Sequence, residues 1–382
     1  MNDSTLDQLE ASMLRRIAAL PGVLRPYTTL SRTLPRGLVL TGGRGVGKTT
    51  FLLHHLKERN FLYLSADNPL LAAVPLYEMV HDAFMRGYAG VVVDEVHHAR
   101  DWSRHVKALY DDFPDRSLWV SDSSTLVLRS GVADLSRRLA RMTMPLLSFR
   151  EFVGLETRSL QPVFDPFDAV AVPGTPEILS LFREYRRHGT RPFYAEENYP
   201  ERLLGILEKT LQADVPFFVP QITDSNIRLM NAVVASLAHA PVPRLQVRAL
   251  CADWNVGAEK LYQLLFVMES VGVIRIVRKP NDQKAGTVGE KVFFGDPTLY
   301  DVLGGDPGTA REALVVAMLA ESGRRVEAAP DERAADFVID GRVTVEVGGR
   351  SKRRKGADFV IRDDTDVAAG KVIPLWGLGF LY

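Results

Sequence analysis

GLVLTGGRGVGKTTFLLHHL, residues 37–56, decides how the rest of the chain is read. Gly37-Leu38-Val39-Leu40 is a short apolar run of strand type, and residues 49–60 (TTFLLHHLKERN) carry apolar residues at helical spacing. Between them stand Gly42, then Gly43, Arg44, Gly45 and Val46, then Gly47-Lys48-Thr49. That order matches G-x-x-x-x-G-K-[ST] in the strand-then-helix context the pattern requires. Glycines let the backbone curl until several N–H groups face one anion. The following helix aims its positive end at the same point. Lys48 can reach the β- and γ-phosphates of a nucleotide, and the Thr49 hydroxyl can ligate Mg²⁺. Residues 42–50, Thr50 included, are the expected nucleotide contacts, with ATP and Mg²⁺ as expected cofactors. The plain alternative is a glycine turn beside a chance lysine.

Outward from this loop, strands alternate with helices. FLYLSA (61–66), GVVVDEV (90–96) and SLWVSDSS (117–124) read as further strands, with MTMPLLSF (142–149) as a fifth. Residues 4–20, 76–87 and 102–113 read as helices. Such alternation predicts an α/β fold with a parallel sheet covered on both faces. Val91-Val92-Val93-Asp94-Glu95 is a buried strand ending in two carboxylates. Asp94 suits the metal, and Glu95 suits a base that orients or deprotonates water; capping of the next helix is the competing role. Ser121-Asp122-Ser123-Ser124 ends the fourth strand, where ligands sit in parallel sheets. Ser123 is the preferred contact there, with helix capping equally open. His97-His98 shows no third ligand by spacing and reads as a loop that senses nucleotide. Asp67 reads as a turn or cap residue.

The bulk numbers bound the rest. At 382 residues the chain is long enough for two or three domains. A 46% hydrophobic, 25% charged composition is that of an ordinary soluble protein, and a net charge of +0 gives no global pull toward nucleic acid. One cysteine, Cys251, excludes an intramolecular disulfide and a multi-cysteine metal site. No apolar stretch has membrane-spanning length and the first residues lack a signal-peptide core, so a cytoplasmic protein is expected.

The pattern changes after Glu151. Residues 155–175 hold Pro162, Pro166 and Pro173 without a clear period, and 176–270 are mainly helical. Residues 245–277 read helix, turn, helix, then a strand-like VGVIRIV, an order that suits a winged helix. Its second helix, GAEKLYQLLFVM, carries Lys260 as its one basic residue, so packing suits it better than groove reading. NDQKAGTVGE (281–290) reads as a hairpin tip or linker. A helix at 309–321 and short strands in RRVEAA, ADFVID, GRVTVEV and KVIPLW make a small α/β unit. Arg350-Ser351-Lys352-Arg353-Arg354-Lys355 places five positive charges in six residues, a solvated loop or a phosphate-binding patch.

Taken together, GLVLTGGRGVGKTTFLLHHL, FLYLSADNP, VVVDEVHHARDW, VSDSSTLVL and above all PLLSFREF resemble the AAA+ superfamily of predicted bacterial and archaeal ATPases. Within it they resemble the group in which the ATPase core precedes a winged helix and a nuclease-like domain. The resemblance implies a P-loop NTPase core over 1–154, a helical lid region over 155–225, a winged helix over 226–280, and a restriction-endonuclease-like α/β domain over 281–382. It also implies an arginine ahead of SFREF that reaches a neighbouring subunit's nucleotide. In Ser136-Arg137-Arg138, Arg138 is the best match to the family's glycine-arginine pair and the glycine is missing; RRLAR is otherwise a basic helix face. The lid element Gly-Gly-x-Pro is matched in part by Gly189-Thr190-Arg191-Pro192, which puts the adenine contact of Pro192 on a par with a plain loop. In the last domain the resemblance implies a PD-(D/E)xK site of Glu312, Asp336 and Glu346. Its lysine position is Gly348, with Arg350 or Lys352 as nearby substitutes, so little or no nuclease activity is expected.

The expected function is therefore Mg²⁺-dependent ATP hydrolysis by a homo-oligomer, a ring such as a hexamer, coupled to the C-terminal domains. Catalysis is assigned to Lys48, Glu95, Ser123 and Arg138, and the metal to Thr49 and Asp94. A nucleotide-gated scaffold with little turnover and an ATP-dependent DNA-binding or DNA-processing protein are the rival readings.

Overall fold

The computed structural model describes residues 3–30, 32–71, 74–124, 135–168, 174–219, 222–240, 243–245, 247–280, 291–349 and 352–382. The chain divides into two compact units, Met1–Pro145 and Leu146–Tyr382.

The first unit is an α/β layer structure. Its sheet holds β1 (Gly37–Thr41), β2 (Phe61–Ser65), β3 (Gly90–Asp94), β4 (Ser117–Asp122) and β5 (Ala140–Thr143), in the spatial order β2-β3-β4-β1-β5. Every pairing is parallel. The strands β1 to β3 are buried along their whole length, as expected of strands covered on both faces. Among the described residues the α-helices of this unit are α1 (Asp3–Ala18), α2 (Pro26–Thr29), α3 (Lys48–Leu56), α4 (Leu76–Met85) and α5 (Trp102–Asp112). α1 and α3 pack on β2, α4 on β3 and α5 on β4. Register pairs Thr41 with Asp122 and Ser65 with Asp94. The carboxyl ends of four strands therefore share one edge, where the loops after β1 and β3 also lie.

The fifth strand departs from the expected 142–149. It begins at Ala140 and stops at Thr143. Met144 still donates its N–H to Thr41 O (2.7 Å), but Pro145 has no N–H to continue the ladder.

The second unit opens with the SFREF segment. Ser148 caps the helix Phe149–Thr157: its hydroxyl accepts the Glu151 N–H (3.1 Å), and the Glu151 carboxylate accepts the Ser148 N–H (3.2 Å). Phe149 is fully buried against Phe182, Tyr185 and Phe380. Arg150 donates to the carbonyls of Tyr382 (2.9 Å) and Gln161 (3.1 Å). Gly379 is bare because a Cβ there would lie 2.4 Å from that of Phe149. SFREF is thus a capped helix start that clasps the last residues of the chain.

Helices follow at Pro176–His188, Tyr199–Lys209, Asp224–His239, Val247–Asp253 and Ala258–Ser270. An antiparallel pair comes next, β6 (Ile274–Val277) with β7 (Lys291–Phe294). The segment 281–290 lies outside the described residues. After the helix Pro307–Glu321 comes a mixed sheet of β8 (Val326–Ala328), β9 (Phe337–Ile339), β10 (Val343–Gly348), β11 (Phe359–Arg362) and β12 (Val372–Pro374). Their order is sequential, antiparallel from β8 to β10 and parallel from β10 to β12. β11 has no counterpart in the sequence reading, and KVIPLW is a strand only through Pro374.

Candidate nucleotide site at the carboxyl edge of the parallel sheet

Residues 42–47 leave β1 and turn directly into α3. Gly47 stands at the helix N-cap with φ 103°, a conformation that favours glycine. At Gly42 the demand is for space: a Cβ would lie 2.6 Å from Met144 O. Lys48, 6% exposed, folds back onto the carbonyls of Gly42 (2.7 Å) and Gly43 (3.2 Å). Burial lowers its pKa, against the raising influence of Glu95, Asp94 and Asp122. Arg44 Nη1 lies 3.8 Å from Glu95 Oε1. Gly45 takes φ 78°, Val46 is buried, and Thr50 is half-buried on the first turn of α3.

Asp94 is the centre of the site. Its Oδ2 accepts the Thr49 hydroxyl (2.7 Å) and the Tyr63 hydroxyl (2.7 Å). Its Oδ1 accepts the Glu95 N–H (3.1 Å) and the Ser121 hydroxyl. Thr49 and Asp94, assigned separately to the metal, are thus brought together as adjacent hard oxygen donors, the chemistry Mg²⁺ requires. Glu95 is the next residue on. Burial raises its carboxyl pKa, while Lys48 and Arg44 pull it down. Ser123, 6% exposed, donates its hydroxyl to Glu95 Oε2 (3.3 Å). The capping alternative for Ser123 depends on residues 125–134, which lie outside the described residues.

Ser121, from the strand-end group, turns its hydroxyl to Asp94. Two contributors have no such mark: Tyr63 comes from β2, and no local pattern singles it out. Arg25 is 4% exposed and donates to Val46 O (2.9 Å) and Pro145 O (3.0 Å), bracing the loop from behind. Its only sequence signal was its place in a proline-marked stretch. The fold brings to His97 a third group that spacing does not show. Asp122 comes from the neighbouring strand as a third group, and ligand atoms of Glu95, His97 and Asp122 lie within 4.8 Å of one another. Asp67 accepts the Ser65 hydroxyl beyond β2, in keeping with a turn residue.

Of the other expected residues, Arg138 belongs to the first unit and Pro192, Glu312, Asp336 and Glu346 to the second. Arg138 precedes β5 at the amino edge of the sheet, where its carbonyl crowds Gly37. It is thus at the opposite end of β1 from the glycine loop of its own chain. Its guanidinium is forked onto Asp111, Nε–Oδ1 and Nη2–Oδ2 both 2.7 Å. Pro192 is half-buried in the second unit, beside Thr190 and Arg191. Those two are committed to buried Asp296: Thr190 Oγ1 donates to its Oδ1 (2.8 Å) and Arg191 Nε to its Oδ2 (2.7 Å).

Glu312, Asp336 and Glu346 do converge within the second unit, and three lysines converge with them. Lys291 Nζ lies 2.8 Å from Glu312 and 3.8 Å from Asp336. Lys352 Nζ lies 2.6 Å from Glu346 and 3.0 Å from Asp336, and Lys355 Nζ lies 3.0 Å from Glu346. Burial raises the Glu346 and Glu312 pKa values. It would also raise that of Asp336, but the Val347 N–H and the two lysines hold it down. Lys352 is therefore the substitute cation, whereas Arg350 lies outside the described residues. Lys352, half-buried, and Lys355, exposed, pair with Glu346, while Arg353 and Arg354 are exposed.

The family described as "AAA domain" matches residues 35–153. No curated protein matches the chain. Among solved structures, the chain is similar to the RuvB Holliday junction branch migration motor of Thermotoga maritima, at 14% identity and TM-score 0.33. That match covers 73% of this chain and 90% of the other. It is also similar to a Walker-type ATPase of Pyrococcus abyssi (14% identity, TM-score 0.43, 70% and 91% covered). A third is the ORC1 protein of Aeropyrum pernix in complex with DNA (15% identity, TM-score 0.36, 79% and 94% covered). With its five-stranded parallel sheet, its glycine loop and Asp94, the segment 35–153 is an AAA domain of the P-loop ATPase superfamily.

Proposed function

We propose that the first unit binds ATP with Mg²⁺ and hydrolyses it. The observation that carries this reading is the contact between Thr49 and Asp94 (2.7 Å), with Glu95 directly beside it and Lys48 at the loop. The oxygens of Thr49 and Asp94 would hold Mg²⁺, which when bound supplies charge neutralisation at the β- and γ-phosphates. Lys48 is poised to exchange its loop carbonyls for phosphate oxygens. Glu95 orients the attacking water and takes its proton, and Ser123 fixes the Glu95 carboxylate. Phosphate release by the wild type, Lys48→Ala and Glu95→Gln tests this. Both variants are expected to lose about 10²-fold or more, the range of general-base catalysis. Equal and negligible rates in all three overturn it.

The chain is read as acting in a homo-oligomer. Support comes from Arg138, which sits at the edge of the sheet away from its own nucleotide loop. Release from Asp111 would free it for a neighbouring copy. Light scattering with and without ATP, on wild type and Arg138→Ala, tests this. Residues 226–280 are read as a winged helix, although β7 beyond that boundary pairs with β6, and the last sheet is read as part of a nuclease-like domain with little activity. Three carboxylates matched by three lysines support the second assignment. Plasmid cleavage with Mg²⁺ or Mn²⁺ that vanishes in Asp336→Ala would overturn it.

A further inference from the structure

The backbone of Glu95 takes φ 50° and ψ 48°, the left-handed region that a residue with a long side chain seldom enters. Such a conformation persists only where its surroundings over-determine it. Here the restraint comes from the next strand. One oxygen of Asp122, Oδ2, accepts both the backbone N–H of His97 (3.2 Å) and its ring Nδ1–H (2.7 Å). The other oxygen accepts the Ser124 N–H (2.9 Å). A carboxylate can only accept, so the Nδ1 proton lies toward Asp122. Asp122 is fully buried and the His97 side chain is 2% exposed, so water does not compete for these bonds. His98 N–H closes the turn onto Glu95 O (3.1 Å). His97 Nδ1 also stands 3.7 Å from Glu95 Oε2, too long for a direct bond but close enough to limit where that carboxylate rests.

We propose that His97, chelated through backbone and ring by Asp122, is a positioning residue for the Glu95 carboxylate. It touches no nucleotide and transfers no proton. It holds the turn after β3 so that the carboxylate stays beside Ser123 and over Asp94. This inference rests on the hydrolytic reading above. His97 and Ser124 take up both oxygens of Asp122, so its hydrogen bonds act on the turn that carries Glu95, and it influences the glycine loop only through its charge on Lys48.

The test measures kcat, KM for ATP and the Kd of a fluorescent ADP analogue on the full chain. The proteins are wild type, Lys48→Ala, His97→Ala, His97→Asn and Asp122→Asn. His97→Ala is expected to lower kcat about 10- to 100-fold, the cost of a displaced catalytic group, with KM and Kd within about twofold. His97→Asn keeps an N–H where Nδ1–H sits and is expected to recover most of the loss. If His97→Ala does not fold, the isosteric Asp122→Asn replaces it and must lower kcat with the same unchanged Kd. Wild-type kcat in both His97→Ala and Asp122→Asn overturns the inference. So does a Kd that weakens in step with kcat, or a His97→Asn no better than alanine. A wild type no faster than Lys48→Ala sinks the hydrolytic reading and this inference together. A wild type that is faster, beside an unimpaired His97→Ala, sinks the inference alone.

Discussion

Tyr63→Phe removes one oxygen from the centre of the nucleotide site and nothing else. The ring is 4% exposed and keeps its packing, so no cavity opens. The hydroxyl donates to Asp94 Oδ2 (2.7 Å) and accepts from Arg16 Nη1 (3.3 Å). Burial, and then the Asp94 charge, push the phenol pKa far above its usual value, so it remains a donor at every working pH. A bond to a charged acceptor is worth about 1.5–3 kcal/mol. Asp94 retains Thr49, Ser121 and the Glu95 N–H, so the carboxylate is not stranded and the lower end applies, about 1.5 kcal/mol. For a unit of this size that corresponds to a fall in Tm of about 3–6 °C. Tyr77→Phe supplies the comparison. Its hydroxyl makes the same bond to a carboxylate, Asp112 Oδ2 at 2.8 Å, but near solvent. There the loss is expected to be about 0.5 kcal/mol, or 1–2 °C. Differential scanning calorimetry of the three proteins reads both shifts. Equal shifts would refute the argument, because burial of the acceptor is what separates the two sites.

Arg25→Met leaves the carbonyls of Val46 and Pro145 without this donor, and about 2–4 kcal/mol of stability and several-fold of nucleotide affinity should be lost. Thermal melts and a fluorescent-nucleotide titration measure the two. His55 has its pKa lowered to about 4, first by burial and then by His54, Arg59 and Arg32. Between about pH 6.5 and 4 the unfolded chain takes up a proton that the folded chain refuses, so stability falls on acidification. Partial solvent screening reduces the effect to about 1–2 kcal/mol, and His55→Leu should flatten that part of the stability–pH curve in urea titrations. Lys352→Met strips one of two cations from fully buried Glu346, which keeps Lys355 at 3.0 Å, so the expected cost is at the lower end of the range for breaking a buried pair, about 3 kcal/mol. The double variant Lys352→Met/Glu346→Gln should recover most of it in guanidinium unfolding.

The parts of the site legible in the sequence are those encoded within a few residues. The spacing of Gly42, Gly47, Lys48 and Thr49 is one chain turn, and Asp94-Glu95 closes one apolar run. Both are local because a strand end and a helix start are local. Tyr63 and Arg25 are generic residue types, and register or a folded-back loop brings them to the site; register likewise selects Asp94 as the partner of Ser121. Register becomes visible only once Ser65 lies beside Asp94 and Thr41 beside Asp122. β11 was hidden for a related reason. Phe359–Arg362 is four residues set between a basic run and RDD, too short to show a period, yet it pairs with both β10 and β12.

Gly348 shows what a position-by-position reading overlooks. A missing lysine reads as a lost charge. In the fold, a Cβ at Gly348 would lie 2.6 Å from both Cβ and Cγ of Lys352. The stem of Lys352 therefore fills the space that a side chain at 348 would take, and it carries an ammonium to Glu346 and Asp336. Glycine at 348 and lysine at 352 are one arrangement: neither makes sense alone, and a larger residue at 348 would expel the cation that Glu346 needs. Since Lys355 and Lys291 match the remaining acid charge, the cluster is neutralised from within the chain. That is a different state from an acidic site that has merely lost its lysine. It also accounts for why Lys352 and Lys355, two residues of an apparently phosphate-seeking run, are engaged by Glu346.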